Sequence, residues 1–338
     1  MKKLLSVFFA LAIIVSGCSN GSSSDDDKDT SNSDGEFPIT IEHAFGETTI
    51  EEKPENIVAI AWGNQDDVLA LGVTPVGVSK ANYGIGEDEK LLPWTQEAFE
   101  ELGVEDPVVF DDVDGLDYEA ISDANPDIIL ATYSGITQEE YDLLSEIAPV
   151  IPYEEAAYQT TWREQLLTNS KAIGMEEEGK ELVKELEETI ATEVAKYPEI
   201  EGKTAAFMYF DVADLGQVYV YGENDPRAAY LQDLGFTQAD SISEILDGTT
   251  EFGTYFSAEK AEDLSDVDVI ILYGDDTTLE ALQNDPLIGT IPAIQNGAVV
   301  ILENNSTLAA STTPSSLSIP YSIEEYAKLM GEAAAKVK

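Results

Sequence analysis

Met175 to Tyr197 reads MEEEGKELVKELEETIATEVAKY, and the organisation of the whole chain turns on it. Leu182, Leu186, Ile190 and Val194 recur every fourth residue, with Val183 beside them and Glu and Lys on the other positions. Side chains four apart share one face of an α-helix, so the pattern predicts an amphipathic helix of about six turns. Pro198 closes it, because proline lacks the amide hydrogen that the next turn would need.

On both sides of this helix the period changes. Before it, apolar β-branched runs fall at 57–62, 76–78, 107–110, 128–132 and 150–153, with helical patterns between them at 65–71, 118–124 and 138–147. After it, similar runs fall at 204–210, 218–221, 267–273 and 298–302. Strands alternating with helices argue for an α/β fold with largely parallel sheets. The expected architecture is therefore two α/β lobes, mainly parallel, joined by one long backbone helix. A single helix holds the lobes at a nearly fixed separation, with the ligand cleft between them. The expected boundaries are 37–174 for the first lobe, 175–198 for the connecting helix and 199–338 for the second.

The N-terminus carries an export signal. Lys2 and Lys3 precede an apolar run at 4–15, about the length of a signal-peptide core and too short to span a bilayer. Val15-Ser16-Gly17-Cys18 resembles the lipobox of bacterial lipoproteins. The expectation is a signal peptide at 1–17 and lipidation at Cys18, with a flexible Ser/Asp/Asn/Gly tether at 18–36. A protein so anchored lies on the extracytoplasmic face of the cell membrane, held by its lipid. Cys18 is the single cysteine, so a disulfide framework and a thiolate metal site are both ruled out.

The formal charge is −50, from 67 acidic and 17 basic residues. Nucleic acid is excluded as a partner, since it requires a basic face. The acidity reads as a solvated surface and says nothing about the fold.

The segment 57–78, IVAIAWGNQDDVLALGVTPVGV, resembles the opening of the helical-backbone substrate-binding proteins of iron–siderophore and cobalamin ABC importers. The likeness continues in LDYEAISDANPDIIL at 116–130, in 257–272 and in PLIGTIPAIQNGAVVI at 286–301. Within that family, YSGITQEEYDLLSEIAP at 133–149, Thr161-Trp162-Arg163 and Asp225-Pro226-Arg227 are similar to Gram-positive ferric-siderophore lipoproteins for hydroxamate or citrate–hydroxamate chelates. The resemblance implies a monomeric binding protein, not an enzyme, that delivers a ferric siderophore to an ABC permease and its ATPase. It also implies that Glu119 and Glu259, one on each lobe, meet arginines of the permease.

A ferric siderophore arrives with its iron fully coordinated. Its receptor needs no metal ligands and no intrinsic cofactor, only an aromatic cleft with a few oriented polar groups. The candidate lining is Trp62, Tyr133 and Trp162 from the first lobe and Tyr209, Tyr221 and Tyr273 from the second. Arg163 and Arg227 are the two arginines of the chain, and a guanidinium fork suits carboxylate or hydroxamate oxygens. So few cations favour a neutral or weakly anionic chelate over a triscatecholate. Haem or cobalamin on the same fold is the main alternative, since tyrosine can ligate haem iron. Direct binding of bare metal ions is disfavoured by a single histidine. An exported hydrolase would need a base, and His43 lies in a peripheral strand and turn; no GxSxG elbow precedes a helix, and there is no HExxH.

Overall fold

The computed structural model describes Gly35, residues 37–112 and residues 114–338. The signal segment 1–17, Cys18 and, apart from Gly35, the tether at 18–36 lie outside the described residues, as does its junction at Glu36.

A two-stranded antiparallel hairpin, β1 (Ile39–His43) and β2 (Gly46–Ile50), opens the first lobe. Five short strands follow: β3 (Ile57–Ala59), β4 (Gly77–Ser79), β5 (Val109–Phe110), β6 (Ile128–Ala131) and β7 (Val150–Pro152). They form one parallel sheet in the order β5-β4-β3-β6-β7. Every residue of β3, β4, β6 and β7 is buried. That is the signature of a parallel sheet with helices on both faces, and it explains the unbroken apolar runs.

The second lobe has β8 (Ala205–Phe210), β9 (Gln217–Tyr221), β10 (Gly253–Ser257), β11 (Val269–Gly274) and β12 (Val299–Glu303), in the order β10-β9-β8-β11-β12. Only β8, β11 and β12 are mutually parallel; β9 runs antiparallel to β8, and β10 antiparallel to β9. The short return from β8 to β9 leaves no room for a crossover helix, so this half is a mixed sheet.

The backbone helix spans Glu176–Val194, 19 residues and about 28 Å by its rise. Glu176, Glu177 and Glu178 occupy its first turn, where negative charge complements the helix dipole. Pro198 begins a separate short 3-10 turn, Pro198–Ile200, so the helix ends before it. Leu186 and Ile190 bury their side chains in a core shared with Phe207, Tyr230, Tyr326 and Met330 of the second lobe. The helix is not a lone strut. A preceding helix, Trp162–Ala172, crosses it at Gly179, where a Cβ would overlap the Ser170 side chain. The C-terminal helix, Ser318–Ala334, packs along it, with the Tyr197 ring lying directly over Gly331. Among the described residues no helix is long and apolar enough to cross a membrane.

The chain also returns to the first lobe before that last helix. Ser315 and Ser316 donate to the buried carboxylates of Asp66 (2.5 Å) and Asp67 (2.7 Å). Asp66 further accepts from Trp94 Nε1 at 2.9 Å and Thr95 Oγ1 at 2.7 Å, and Asp67 from Asn169 Nδ2 at 2.8 Å. Two buried carboxylates are tolerable only because each is hydrogen-bonded in this way.

Candidate functional site: an aromatic cleft between the lobes

In an open α/β sheet the chain leaves neighbouring central strands toward opposite edges, and a crevice opens at that point. The first sheet reverses between β3 and β6, the second between β8 and β11. Trp62 follows β3 and Tyr133 follows β6, so both arise at the first crevice. Trp62 is flanked by Ala61 and Gly63, both left-handed (φ 64° and 72°), and this reversal turns the indole out of the sheet. Asn64 staples the two strand ends together. Its Nδ2 donates to Ile60 O (2.8 Å) and Tyr133 O (3.1 Å), and its Oδ1 accepts from the Tyr133 amide (3.3 Å). The Trp62 indole reaches across to the carbonyl of Thr313 at 3.5 Å.

Tyr273, near the end of β11, arises at the second crevice, and its hydroxyl bonds Thr312 Oγ1 at 2.9 Å. Tyr221 arrives differently: β9 is antiparallel, and its last residue is carried back beside Phe207, with ring centroids 5.6 Å apart. Arg227 stands in the first turn of the helix Pro226–Asp233, whose N-cap Asp225 accepts from the Arg227 amide at 2.9 Å. The Asp225 carboxylate also grips the guanidinium through Nε (2.8 Å) and Nη2 (2.5 Å). The guanidinium carbon lies 4.3 Å from the centroid of the Tyr221 ring. One edge of the fork is therefore spent on Asp225, while Arg227 itself lines the cleft.

Trp62, Tyr133, Tyr221, Arg227 and Tyr273 line one cavity of about 480 Å³, with Tyr209 at its rim. Tyr209 is 44 % exposed. Burial pushes the phenol of Tyr133 above its usual value, and that of Tyr221 up to about 12, with Arg227 opposing the latter shift. Both stay neutral at ordinary pH and offer hydroxyl groups and ring faces. The cavity wall is mostly aromatic, with one guanidinium whose charge is largely balanced by Asp225.

Trp162 and Arg163 are not in this cavity. The Trp162 ring is buried in the core beneath the backbone helix, and its Nε1 donates to Asp233 Oδ2 at 2.9 Å. Arg163 lies over that ring at 4.3 Å and pairs with Asp233 (2.9 Å) and Glu187 (2.7 Å). Thr161 caps this helix through a box with Glu164, which directs Trp162 inward as the first helical residue. The aromatic–Arg pair thus locks one helix onto the second lobe. Glu119 and Glu259 are both exposed, in the first turns of Tyr118–Asp123 and Ala258–Asp266 respectively. His43 is buried, bonded to Thr48 Oγ1 at 2.9 Å, and its pKa is lowered by that burial.

Several lining residues escaped the sequence reading: Tyr83, Tyr158, Phe252 and Asn304. The Tyr83 hydroxyl donates to Asn304 Oδ1 (2.8 Å) and accepts from the Asn305 amide (2.9 Å), bridging the lobes. All four lie outside regular elements, where no period marks the buried side. The left-handed Asn305 (φ 61°) and Tyr158 (φ 60°) carry backbone strain that only the surrounding contacts hold in place.

Comparison with known proteins agrees with this geometry. PiaA of Streptococcus pneumoniae TIGR4, solved in complex with ferrichrome, is 51 % identical and superposes with a TM-score of 0.85, covering 89 % of this chain and 100 % of that one. The Fe(3+)-citrate-binding protein YfmC of Bacillus subtilis is 26 % identical over 307 residues, 88 % of this chain and 87 % of YfmC. The iron(3+)-hydroxamate-binding protein FhuD of the same organism is 26 % identical over 272 residues, 78 % of each chain. Residues 57–305, from the first core strand through the last, match the periplasmic binding protein family. With two α/β lobes, a helical backbone and a cleft at both switch points, the chain belongs to that family.

Proposed function

We propose that this chain captures a ferric siderophore outside the cell and hands it to an ABC permease for iron uptake. The observation that carries the reading is the aromatic cavity of about 480 Å³ between the lobes, with Arg227 set over the Tyr221 ring. Such a wall recognises the organic shell of a chelate by ring contact, and one part-neutralised cation suits a neutral or weakly anionic ligand. A hydroxamate shell fits these terms better than a catecholate one. The relatives' names point the same way, since PiaA was solved with ferrichrome and FhuD is named for iron(3+)-hydroxamate. The role is binding, with release to a permease that docks at Glu119 and Glu259, and the lipid on Cys18 keeps the protein at the outer membrane face as a monomer. A Cys18→Ala chain should be released or left unprocessed; one retained at the membrane as before would remove the anchor.

Titration of intrinsic tryptophan fluorescence against ferrichrome, a ferric citrate–hydroxamate chelate, haem, cobalamin and free ferric ion tests the reading. Saturable quenching by the ferric hydroxamates is expected. Quenching confined to haem or cobalamin would replace the siderophore with a macrocycle as ligand.

A further inference from the structure

Beside the aromatic cavity lies a second chamber, wholly within the first lobe, of about 280 Å³. Trp62, Asn82 and Tyr158 line both spaces, so the two share a wall. The Tyr158 ring is part of that wall and packs so tightly on Gly135 that a Cβ there would overlap it. The walls differ from those of the cleft. Leu91, Leu92, Leu116 and Ile136 make an aliphatic sleeve, and Ser79, Asp112 and Ser134 bring polar atoms to it.

Two of the polar groups in this chamber have no hydrogen-bond partner. Gln65 Oε1 and Ser134 Oγ are buried and unpaired among the described residues, with Gln65 6 % and Ser134 0 % exposed. The Gln65 amide cannot simply be turned around. Its Nε2 donates to Asp66 Oδ1 at 3.2 Å, and turning the amide would set its oxygen against that of Asp66. The free atom is therefore an oxygen that can only accept. A buried acceptor without a donor is costly, and a ligand bearing that donor would recover the loss. Asp112 adds a carboxylate that accepts from Ser79, and Glu140 adds another at the wall. Lys80 also lines the chamber, but its ammonium lies 3.8 Å from Asp111.

We infer that this chamber is a subsite for an aliphatic arm of the chelate ending in a hydrogen-bond donor, an amino or hydroxyl head read by Gln65 Oε1 and Ser134 Oγ. The inference rests on the siderophore reading of the main cleft and adds to it a selectivity: chelates with a donor-headed side arm are preferred to those without. The iron and its hydroxamates stay in the aromatic cavity, and the arm passes Tyr158 into the sleeve.

The test uses the full chain and three probes. These are a ferric linear trishydroxamate with a terminal primary amine, the same chelate ending in a methyl group, and ferrichrome as a chelate with no such arm. The wild-type chain should bind the amine-headed chelate about tenfold more tightly than the methyl-headed one. Ser134→Ala removes a hydroxyl that has no protein partner, so it should fold normally and reduce that preference roughly threefold. Leu116→Trp narrows the sleeve and should weaken both armed chelates while ferrichrome binding is unchanged. Equal affinity of the wild type for amine- and methyl-headed chelates, with ferrichrome still bound, would overturn the subsite alone. Failure to bind any of the three would overturn the siderophore reading beneath it.

Discussion

The Ser315 hydroxyl lies 2.5 Å from the Asp66 carboxylate, a contact between residues 249 positions apart. It joins the segment returning from the second lobe to the first helix of the first, Asn64–Ala70. Ser316 and Asp67 repeat the contact one residue on. The backbone helix therefore does not hold the lobes alone. A buried polar clasp closes the other side, and Tyr83 with Asn304 closes the cleft margin.

The clasp has a pH signature. Burial raises the pKa of Asp67 from 3.8 to about 8, with its hydrogen-bond donors opposing the shift and the charge of Asp66 adding to it; burial raises Asp66 in the same direction. In this window the folded chain holds a proton that the unfolded chain has lost. Stability should therefore be greatest at low pH within the window and fall as pH rises from about 4 to about 8, then level off. Asp67→Asn can donate to Ser316 and accept from Asn169, mimicking the protonated acid. Unfolding free energies from urea denaturation between pH 5 and 8 should fall less steeply in this variant, by up to about 1.4 kcal/mol per pH unit. Parallel slopes for the two proteins would show Asp67 ionised throughout.

Arg227 is expected to donate to chelate oxygens through the edge that Asp225 leaves free. Hydrogen bonds from a charged donor contribute about 1.5–3 kcal/mol, so Arg227→Ala should weaken a ferric hydroxamate roughly ten- to hundredfold. Arg227→Lys should recover little, because lysine cannot hold the two-point contact with Asp225 and still face the cleft. Fluorescence titration measures both. Unchanged affinity in the alanine variant would place the anchor elsewhere in the cavity.

Trp162 should matter for stability and not for ligand. Trp162→Phe loses the bond to Asp233 and leaves Arg163 to satisfy that carboxylate, at a cost of about 1–2 kcal/mol. Chemical denaturation should report the loss, while the dissociation constant for ferrichrome stays within twofold. A tenfold loss of affinity would mean that the helix Trp162–Ala172 sets the cleft.

Glu119 and Glu259 are exposed, one on each lobe, and are two among many surface acids. If they dock the permease, the double variant Glu119→Ala/Glu259→Ala should abolish iron uptake in cells while solution affinity is unchanged. Uptake at the normal rate would assign docking to other residues.

The period of the apolar residues determined much of this protein from sequence alone. Leu182, Leu186, Ile190 and Val194 mark a helix because every fourth residue shares a face, and Leu186 and Ile190 are indeed its buried positions. The runs at Ile57–Ala59 and Ile128–Ala131 read as strands because a parallel sheet buries both faces, and they are wholly buried. Period describes a segment's own geometry and is silent on which distant segment it meets. The sequence thus marked Trp62 and Trp162 equally as aromatics near element ends, and only packing separated them. Trp62 is turned outward by two left-handed neighbours, whereas the capping box at Thr161 turns Trp162 into the core. The antiparallel return of β9, which carries Tyr221 back to Phe207, is likewise a matter of pairing across a short turn. Tyr83, Tyr158 and Asn304 lie in irregular segments with no period to read, and the unpaired oxygens of Gln65 and Ser134 exist only relative to the residues around them. Local regularity is encoded within a few neighbouring residues. The cleft, its second chamber and the clasp at Asp66 are made by contacts between residues far apart in the chain, and only the tertiary structure decided those.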